Sequence, residues 1–411
     1  PDRSWSRTSL IRAALRIDLR PGGADGTGAT EPMAIEIREL KSGDRKTLKD
    51  FLDVVDTIYA GSPHYVRPLD MDVGDRLDRK KNPFFEHAEG AAWVAYRDGK
   101  PVGRITAQID REHLKRYNDG AGMFGFFDTI DDPEVVQVLL AEAEAWTRAR
   151  GMQRLRGPIS LSLNEEAGCL VEGFDDPPIA MMPYHHPYQG GLIEQAGYGK
   201  IKDLYSWRYE VGMVPVRAQR AHEEVAAMPE VLTRNVDPKK FLDEVRIIMD
   251  IFNDAWSENW GFVPLTEREL IKMASDMKMI LMPEITKITF IDGEPAAVAL
   301  GIPNLNELIR DLHGKLLPFG VAKLLYRLRV TGPKTGRLLI LGIRKKWRHV
   351  RRYAGLSAFL YVEMNKEAHM IGMKGGELGW TLEDNAAINA GIRLMGGKLA
   401  KKYRIYEKTL A

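Results

Sequence analysis

The sequence predicts an α/β protein with a mixed sheet, built from two tandem copies of one unit. The first observation is the order βαββ, β, α, β, α, β of strand-like and helix-like segments, which occurs once in each half. The second is a pair of hairpins with Asp-Gly turns, at Asp98 and Asp292, which lie 194 residues apart. Because the same order recurs around both turns, duplication of one α/β unit explains the chain economically.

In the first half, "IEIREL" alternates like a strand, and the spacing of Leu48, Leu52, Val55 and Tyr59 predicts a helix after it. The hairpin "AAWVAYRDGKPVGRITAQID" follows. The remaining predicted elements are a strand over residues 122–127, a helix over 133–150, the strand "RLRGPISLS", a short helix ended by Gly197 and the strand "DLYSWRYE".

The second half repeats this order. Asp237 and Pro238 are typical of a helix start and open the helix "DPKKFLDEVRIIMDIFNDAW", which follows the strand "VLTRNV". The later predicted elements are the hairpin "KITFIDGEPAAVALGI", the strand "LLILGI", the helix "GLSAFLYVEMNKEAHMIG", the strand "GGELGWTL", the helix "DNAAINAGIRLMGG" and the strand "KLAKKYRIYEK".

The composition and charge of the chain limit the classes of function that the protein can have. A net charge of +2 means that any binding of an anionic polymer depends on a local patch, and no motif for reading RNA or DNA is present, so no nucleic-acid partner is expected. A single cysteine, Cys169, excludes an internal disulfide and favours a reducing, cytoplasmic compartment. No segment approaches the ~20 apolar residues of a membrane span. The protein is therefore expected in the cytoplasm, with peripheral contact to a membrane left open.

The most strongly basic segment is "RKKWRHVRRYAGLSAFLY", which starts at Arg344 and carries six Lys or Arg within nine residues. Its composition fits a phosphate cradle that opens a helix, a nucleic-acid or membrane patch, or a solvated basic loop. The first turn of a helix has unpaired N–H groups and the positive end of the helix dipole, and a glycine such as Gly355 lets a phosphate approach the backbone. Position after a strand and before a helix favours the cradle.

The order of elements together with "RYAGLS" at Arg352 resembles the GNAT acyltransferase superfamily, in which acyl-CoA binds between the fourth and fifth strands. The resemblance implies two tandem GNAT-like acyl-CoA N-acyltransferase domains. The hexapeptide is one position off the usual loop pattern, and Ile392 stands where the family often has a tyrosine acid. The first half has no such loop, since "FFDTIDDPEVVQ" carries acids that would repel a pyrophosphate. One CoA site, in the second half, is therefore expected.

The predicted organisation has four parts. Residues 1–33 form a disordered or basic N-terminal extension, and residues 34–212 form an N-terminal GNAT-like domain without a phosphate loop. A linker over residues 213–229 leads to a C-terminal GNAT domain over residues 230–411, which holds the acyl-CoA site. This domain carries a helical insertion over residues 303–336.

More narrowly, the second half resembles the GNAT-related bacterial ceramide synthases and their relatives. The residues that carry this resemblance are "PNLNELIRDLHGKLLPFG", "LGIRKKWR", "ELGWTLEDNAAIN" and "GGKLAKKYRIYEK". The resemblance implies transfer of a fatty acyl group from acyl-CoA to the amine of a sphingoid base or a similar long-chain amine. An acyltransferase for a small soluble amine and a catalytically dead lipid-binding module remain alternatives.

The resemblance implies a set of cofactor-binding residues. The oxyanion donors and the phosphate loop map to Gly342, Ile343, Arg344, Arg348, Arg351, Arg352, Gly355, Leu356 and Ser357.

Amide formation also needs a base or water path for the amine proton. The candidates are Glu377, Glu383, Asp384, Asn385 and His313, although Asp384 or Asn385 would also serve as an ordinary helix N-cap.

Aromatic and imidazole side chains are candidates for the substrate pocket. They are Tyr184, His185, His186, Trp256 and Trp260. Adjacent histidines point in different directions and no further ligand stands at metal-binding spacing nearby, so no metal is expected.

The insertion contains an amphipathic basic helix. Leu317, Val321, Leu324, Leu325 and Leu328 share one face, and Lys315, Lys323, Arg327 and Arg329 take the other. This pattern fits either an interfacial helix on an anionic membrane or a helix that packs on its own domain.

Overall fold

The computed structural model describes residues 34–410; the predicted extension over residues 1–33 lies outside them. In the first half, the order of elements is the predicted one with additions. The strands are β1 (Glu36–Glu39), β2 (Ala88–Arg97), β3 (Lys100–Asp110), β4 (Ala121–Thr129), β5 (Arg154–Gly157), β6 (Ile159–Ser160), β7 (Glu166–Ala167), β8 (Cys169–Glu172) and β9 (Gly199–Glu210). The helices are α1 (Arg45–Ile58), α2 (Asp70–Leu77), α3 (Arg111–Tyr117), α4 (Pro133–Arg148) and α5 (Tyr188–Gln195).

The second half has the same frame. The predicted linker contains a helix, α6 (Val216–Ala226). The strands are β10 (Val231–Asn235), β11 (Thr286–Ile291), β12 (Glu294–Pro303), β13 (Thr335–Ile343), β14 (Gly375–Leu382) and β15 (Lys398–Thr409). The helices are α7 (Phe241–Trp256), α8 (Glu267–Met277), α9 (Leu305–Ile309), α10 (Gly320–Tyr326), α11 (Lys345–Arg348), α12 (Leu356–Met370) and α13 (Ala386–Leu394).

Both Asp-Gly turns form as predicted. Asp98 and Asp292 have φ angles of 53° and 52°, and the glycines that follow have 72° and 80°. Positive φ at both central positions is the geometry of a type I′ turn, which matches the twist of the flanking strands. The two hairpins, β2–β3 and β11–β12, therefore form for the same local reason.

The strands join into one mixed sheet that runs through both halves, which confirms the predicted fold class. Its order is β1-β2-β3-β4-β5-β15-β9-β14-β13-β12-β11-β10, with β8 also paired to β15. The last strand of each half is exchanged: β15 lies against β5 of the first half, and β9 lies against β14 of the second. The boundaries predicted at residues 212 and 230 stay a prediction, since the sheet continues across them.

Helices cover both faces of the sheet. In β12, Ala297 and Ala299 belong to the apolar cluster under α12, whereas Val298 and Leu300 belong to the cluster under α7. Because successive strand residues point to opposite faces, a strand covered on both sides must be apolar throughout, as "AAVALGI" is. No helix among residues 34–410 combines the length and the apolar character needed to cross a membrane.

Candidate active site

The strands β13 and β14 separate part-way along their length. They pair in parallel from Thr335 and Gly375 as far as Leu338 and Leu378, and the ladder ends there. At this point β13 carries a bulge, since Leu300 pairs with Ile340 and Gly301 with Leu338, which leaves Leu339 unpaired. A bulge bends a strand and increases its twist, so β13 turns away from β14. The result is an opening in the centre of the second half.

A cavity of about 150 Å³ lies at this opening, on the face of the sheet that α7 and α8 cover. Its walls are mostly apolar. They include Phe241, Ile248, Met249, Phe252, Trp256, Met273, Ala274, Met277, Leu300, Leu339, Ile340 and Trp380 from the second half, and Leu163 and Met181 from the first. A mostly apolar cavity of this size accepts a hydrocarbon of about six carbons.

Glu165 is an acidic group in the wall of this cavity. Its Oε2 accepts a hydrogen bond from Arg76 Nε at 2.7 Å, and burial raises the pKa of the carboxyl group above its usual value despite that bond. The other acids of the wall are engaged elsewhere: Glu244 pairs with Arg234 at 2.9 Å, and Asp237 caps a helical turn. Glu165 combines a position in the cavity wall with a carboxyl group whose pKa is raised by burial, and this makes it a candidate to exchange a proton with a bound amine.

Glu165 reaches the cavity because it lies at the tip of a short hairpin in the first half. The short hairpin β6–β7 lies against β4, and a Cβ on Gly125 would come within 2.2 Å of Ile159 O. Gln108 Nε2 also donates to Ile159 O at 2.6 Å. The hairpin thus packs closely on β4, and its tip, Leu163 to Glu165, forms part of the second half's cavity.

The basic segment after β13 is largely neutralised by acids. Its ion pairs are Arg344–Asp250, Lys345–Glu258, Lys346–Glu294 and Arg352–Glu230. Arg348 donates instead to the carbonyl oxygens of Ala255 at 2.7 Å and Ile343 at 3.1 Å. The side chain of Arg351 is exposed and makes no hydrogen bond or ion pair within residues 34–410. Arg351 is therefore a cation of this segment that a phosphate could engage without breaking an ion pair.

Helix α12 begins directly after the basic segment. Gly355 is its N-cap and makes no side-chain cap bond, while Leu356 is fully buried and Ser357 is half-buried. A Cβ on Gly355 would lie 3.2 Å from Val225 Cγ2, because α6 packs closely here. The corresponding helix of the first half, α4, begins differently: Asp132 caps it by accepting from Glu134 N at 2.9 Å. A carboxylate thus occupies the start of α4, whereas no side chain from the described part of the chain caps the start of α12.

The predicted oxyanion donors lie in the ladder between β12 and β13. Gly342 is opposite Val298 and Ile343 is opposite Ala297. A Cβ on Gly342 would be 2.4 Å from Trp256 Cζ3, so glycine at this position allows the indole to pack on the strand. The unpaired position of the strand is Leu339, three residues earlier.

The predicted base Glu377 is buried in an ion pair. Lys401 Nζ contacts one of its carboxylate oxygens and Ser206 Oγ donates to the other at 2.5 Å. The Lys401 side chain is fully buried, and its charge is balanced by Glu377 and Asp176. These contacts describe a structural ion pair inside the protein.

The other predicted bases are also placed by contacts. Glu383 accepts from Lys200 Nζ at 2.7 Å and from a backbone N–H, and Asp384 pairs with Lys202 at 2.7 Å. Asn385 caps α13, as its alternative role predicted. His313 is exposed in the insertion. None of these four is among the residues that line the cavity.

The predicted pocket residues divide into two groups. Trp256 and Trp260 line the cavity. Tyr184, His185 and His186 lie in the first half, where His185 Nδ1 accepts from Leu170 N at 3.1 Å and His186 stacks between Tyr59 and Tyr188. Burial lowers the pKa of His185. The structure does not bring these three residues to the cavity wall.

Comparison with known proteins decides the family. The chain is 41% identical over 367 residues to the bacterial ceramide synthase of Caulobacter vibrioides, which covers 88% of this chain and 95% of that protein. It is 38% identical to protein YghO of Escherichia coli, over 89% of this chain and 94% of the other. The chain belongs to the bacterial ceramide synthase family. No protein-family model matches it.

The solved structures agree on the fold of this family member. A tandem GNAT protein from the clavulanic acid biosynthesis pathway superposes with a TM-score of 0.55 at 12% identity, covering 92% of this chain and 99% of that one. The predicted tandem GNAT fold is thereby confirmed, and the protein is an acyltransferase.

Glu165 was missed by sequence analysis. The signal available was the pair Glu165-Glu166 inside "LSLNEEAGCL", between a strand and the next buried residues. Nothing in that pattern indicates that the pair meets the other half of the chain.

Proposed function

We propose that this protein is an acyl-CoA-dependent N-acyltransferase that transfers a fatty acyl group to the amine of a sphingoid base or a similar long-chain amine. The observation that carries the proposal is the mostly apolar cavity at the opening between β13 and β14, which suits an alkyl chain better than a small polar substrate. The name of the Caulobacter relative supports the same substrate class.

The start of α12 is the proposed position of the CoA pyrophosphate. Its first-turn N–H groups lack a side-chain cap, and exposed Arg351 and Arg348 stand just before it. Arg344 and Arg352 would contribute less, because each already faces a carboxylate. The position of Gly355, in contact with α6, makes it a packing residue of this turn as well as a neighbour of the phosphate.

The proposed chemistry uses Glu165 as proton acceptor. Acyl-CoA supplies an activated thioester carbonyl. Glu165 takes a proton from the ammonium form of the substrate, the neutral amine nitrogen attacks the carbonyl carbon, and the C–S bond breaks as the CoA thiolate leaves. The second amine proton goes to the thiolate through solvent. Backbone N–H groups near the bulge at Leu339, or those of Gly342 and Ile343, would stabilise the oxyanion.

A two-by-two assay tests the proposal. Purified protein is mixed with acetyl-CoA or palmitoyl-CoA and with a detergent-dispersed sphingoid base or a small soluble amine, and amide product is measured by mass spectrometry beside release of the CoA thiol. We expect product from the palmitoyl-CoA and sphingoid base pair. Product only with the small amine would establish the soluble-amine alternative, and lipid binding without any turnover would establish the dead-module alternative.

Glu165→Gln tests the base. Loss of a general base costs roughly 10²–10⁴-fold in rate. Because the pKa of Glu165 is raised by burial, kcat/KM of the unmodified enzyme should rise with pH through that pKa, and the variant should lose this dependence. A matched Glu166→Gln variant, altered at the neighbouring carboxylate, should keep it. An unchanged pH profile in Glu165→Gln would exclude the role.

The proposal places the enzyme in the cytoplasm at the inner face of the bacterial inner membrane, where a long-chain amine partitions. The single cysteine, Cys169, is a free buried thiol, which is compatible with a reducing compartment.

A further inference from the structure

The insertion displays large apolar side chains to solvent. Leu317 is 82% exposed, Phe319 79%, Val330 65% and Tyr326 59%. Val321 and Leu325 on α10 are also exposed. We call the surface formed by these six side chains the insertion face. Several large apolar side chains exposed on one short segment are typical of an interaction site.

This segment is held firmly against the rest of the protein. Leu308 and Ile309 of α9 are buried, and Asn306 Nδ2 donates to Pro178 O at 2.9 Å. Arg327 Nη1 donates to Leu308 O at 2.6 Å, which ties the turn after α10 back to α9. The apolar side chains are therefore presented on an anchored element.

The insertion carries a net positive charge. Residues 303–336 contain six Lys or Arg and two acids, a net charge of +4 with His313 neutral. Asp311 is shared by Lys323 and Arg327, and Glu307 accepts from Lys334 N. Lys315 and Arg329 are exposed and make no ion pair within the described residues. Unpaired cations thus border the insertion face.

The geometry points to an anionic lipid bilayer as the partner of the insertion face. Apolar side chains that protrude beside unpaired cations match the two layers of a membrane surface, with acyl chains below and anionic headgroups at the level of the cations. A nucleic acid would use the cations and leave Leu317 and Phe319 in water.

Membrane contact would also bring the active-site cavity to its lipid substrate. Asn304 Oδ1 accepts from Ala180 N at 3.1 Å, and Arg337 Nη1 donates to the carbonyl oxygens of Ala180 and Met181 at 2.9 and 3.0 Å. Met181 and Arg337 form part of the cavity wall. The insertion and the cavity are therefore joined through residues 180–181. In this respect the inference deepens the proposed function.

Vesicle flotation of the full chain tests whether the insertion face binds an anionic bilayer. Vesicles of phosphatidylcholine alone are compared with vesicles that also contain phosphatidylglycerol. Unmodified protein should float with the anionic vesicles and lose binding at high salt. Leu317→Ser combined with Phe319→Ser should lower the partition coefficient about tenfold or more, and Lys315→Glu combined with Arg329→Glu should abolish the preference for phosphatidylglycerol. Leu232→Ser combined with Leu394→Ser, which alters exposed apolar residues elsewhere, is the matched control and should bind normally.

Several results would overturn the inference. These are absence of binding to anionic vesicles, equal binding by the Leu317/Phe319 variant, and concentration-dependent dimerisation that the same variant abolishes, since that would assign the face to a second copy. Turnover of detergent-dispersed substrates is measured in parallel. Vesicle binding without amide formation would overturn only the proposed function, and amide formation without vesicle binding would overturn only this inference.

Discussion

Ala274→Leu should shorten the acyl chain that the enzyme prefers. Ala274 is on α8, is 3% exposed and lines the cavity. The substitution adds three carbons to the wall. A cavity of about 150 Å³ that accepts about six carbons allows ~25 Å³ for each, so the new side chain removes about half of the space.

The magnitude follows from the lost burial. Each methylene buried contributes about 0.8 kcal/mol, so excluding three of them costs about 2.4 kcal/mol. Since 1.36 kcal/mol corresponds to a factor of ten, kcat/KM for octanoyl-CoA or longer donors should fall by roughly 60-fold. An acetyl group has no alkyl chain to bury in the cavity, so kcat/KM for acetyl-CoA should change little.

The assay is release of the CoA thiol across acetyl-, butyryl-, octanoyl- and palmitoyl-CoA with one fixed amine, and then across amines of different chain length with one fixed donor. Ala387→Leu, an exposed position on α13, is the control for the added side chain. Equal loss with acetyl-CoA and palmitoyl-CoA would refute chain selection by the cavity. A shift in amine preference with an unchanged donor profile would assign the cavity to the acceptor.

Three further predictions concern charge. Arg351→Glu should weaken CoA affinity about tenfold at low salt and less at 1 M salt, because Arg351 faces solvent beside α12. Titration calorimetry measures both affinities, and equal affinities of the variant and the unmodified protein would remove Arg351 from the phosphate site. Two flanking carboxylates raise the pKa of His87 to about 10, so its contribution to stability is complete below pH ~6.5 and lost as pH rises through 10. In denaturant unfolding, His87→Ala should therefore lower the free energy of unfolding by about 3 kcal/mol at pH 6 and by little near pH 10.5. A loss of stability that does not depend on pH would contradict this. Glu377→Gln should lower the free energy of unfolding by about 1.5–3 kcal/mol because buried Lys401 then keeps only Asp176 as a carboxylate partner, with Lys401→Met restoring stability in the double variant; lost turnover at unchanged stability would instead indicate a catalytic Glu377.

Secondary structure is most predictable from the sequence where it depends on neighbours along the chain. The Asp-Gly turns at Asp98 and Asp292, and the helix from Leu356, formed where predicted, because turn conformation and helical periodicity are set by residues a few positions apart. The amphipathic pattern of the insertion also formed a helix, α10, but Leu317, Val321 and Leu325 remained exposed, while Leu324 and Leu328 are half-buried. Pattern alone left open whether that face would be buried.

The site was predicted less completely. Trp256 and Trp260 line the cavity, yet Glu377 is enclosed by Lys401, and Glu165 arrives from the first half. A titratable residue has the same letter in the sequence whether it is paired, buried or facing a cavity. Its protonation depends on partners that are distant in the chain, such as Arg76, which is 89 residues from Glu165, and periodicity does not report them.

The sequence by itself determined the repeated unit, the kinds of element within it and the resemblance to an acyltransferase family. Only the tertiary structure decided how the two units combine. The closing strands β9 and β15 are similar in pattern, and each could pair with the fifth strand of its own half. They pair instead with β14 and β5, so that one sheet spans the protein and the first half's hairpin completes the second half's cavity. That choice depends on the summed packing of long-range contacts, which no local segment encodes.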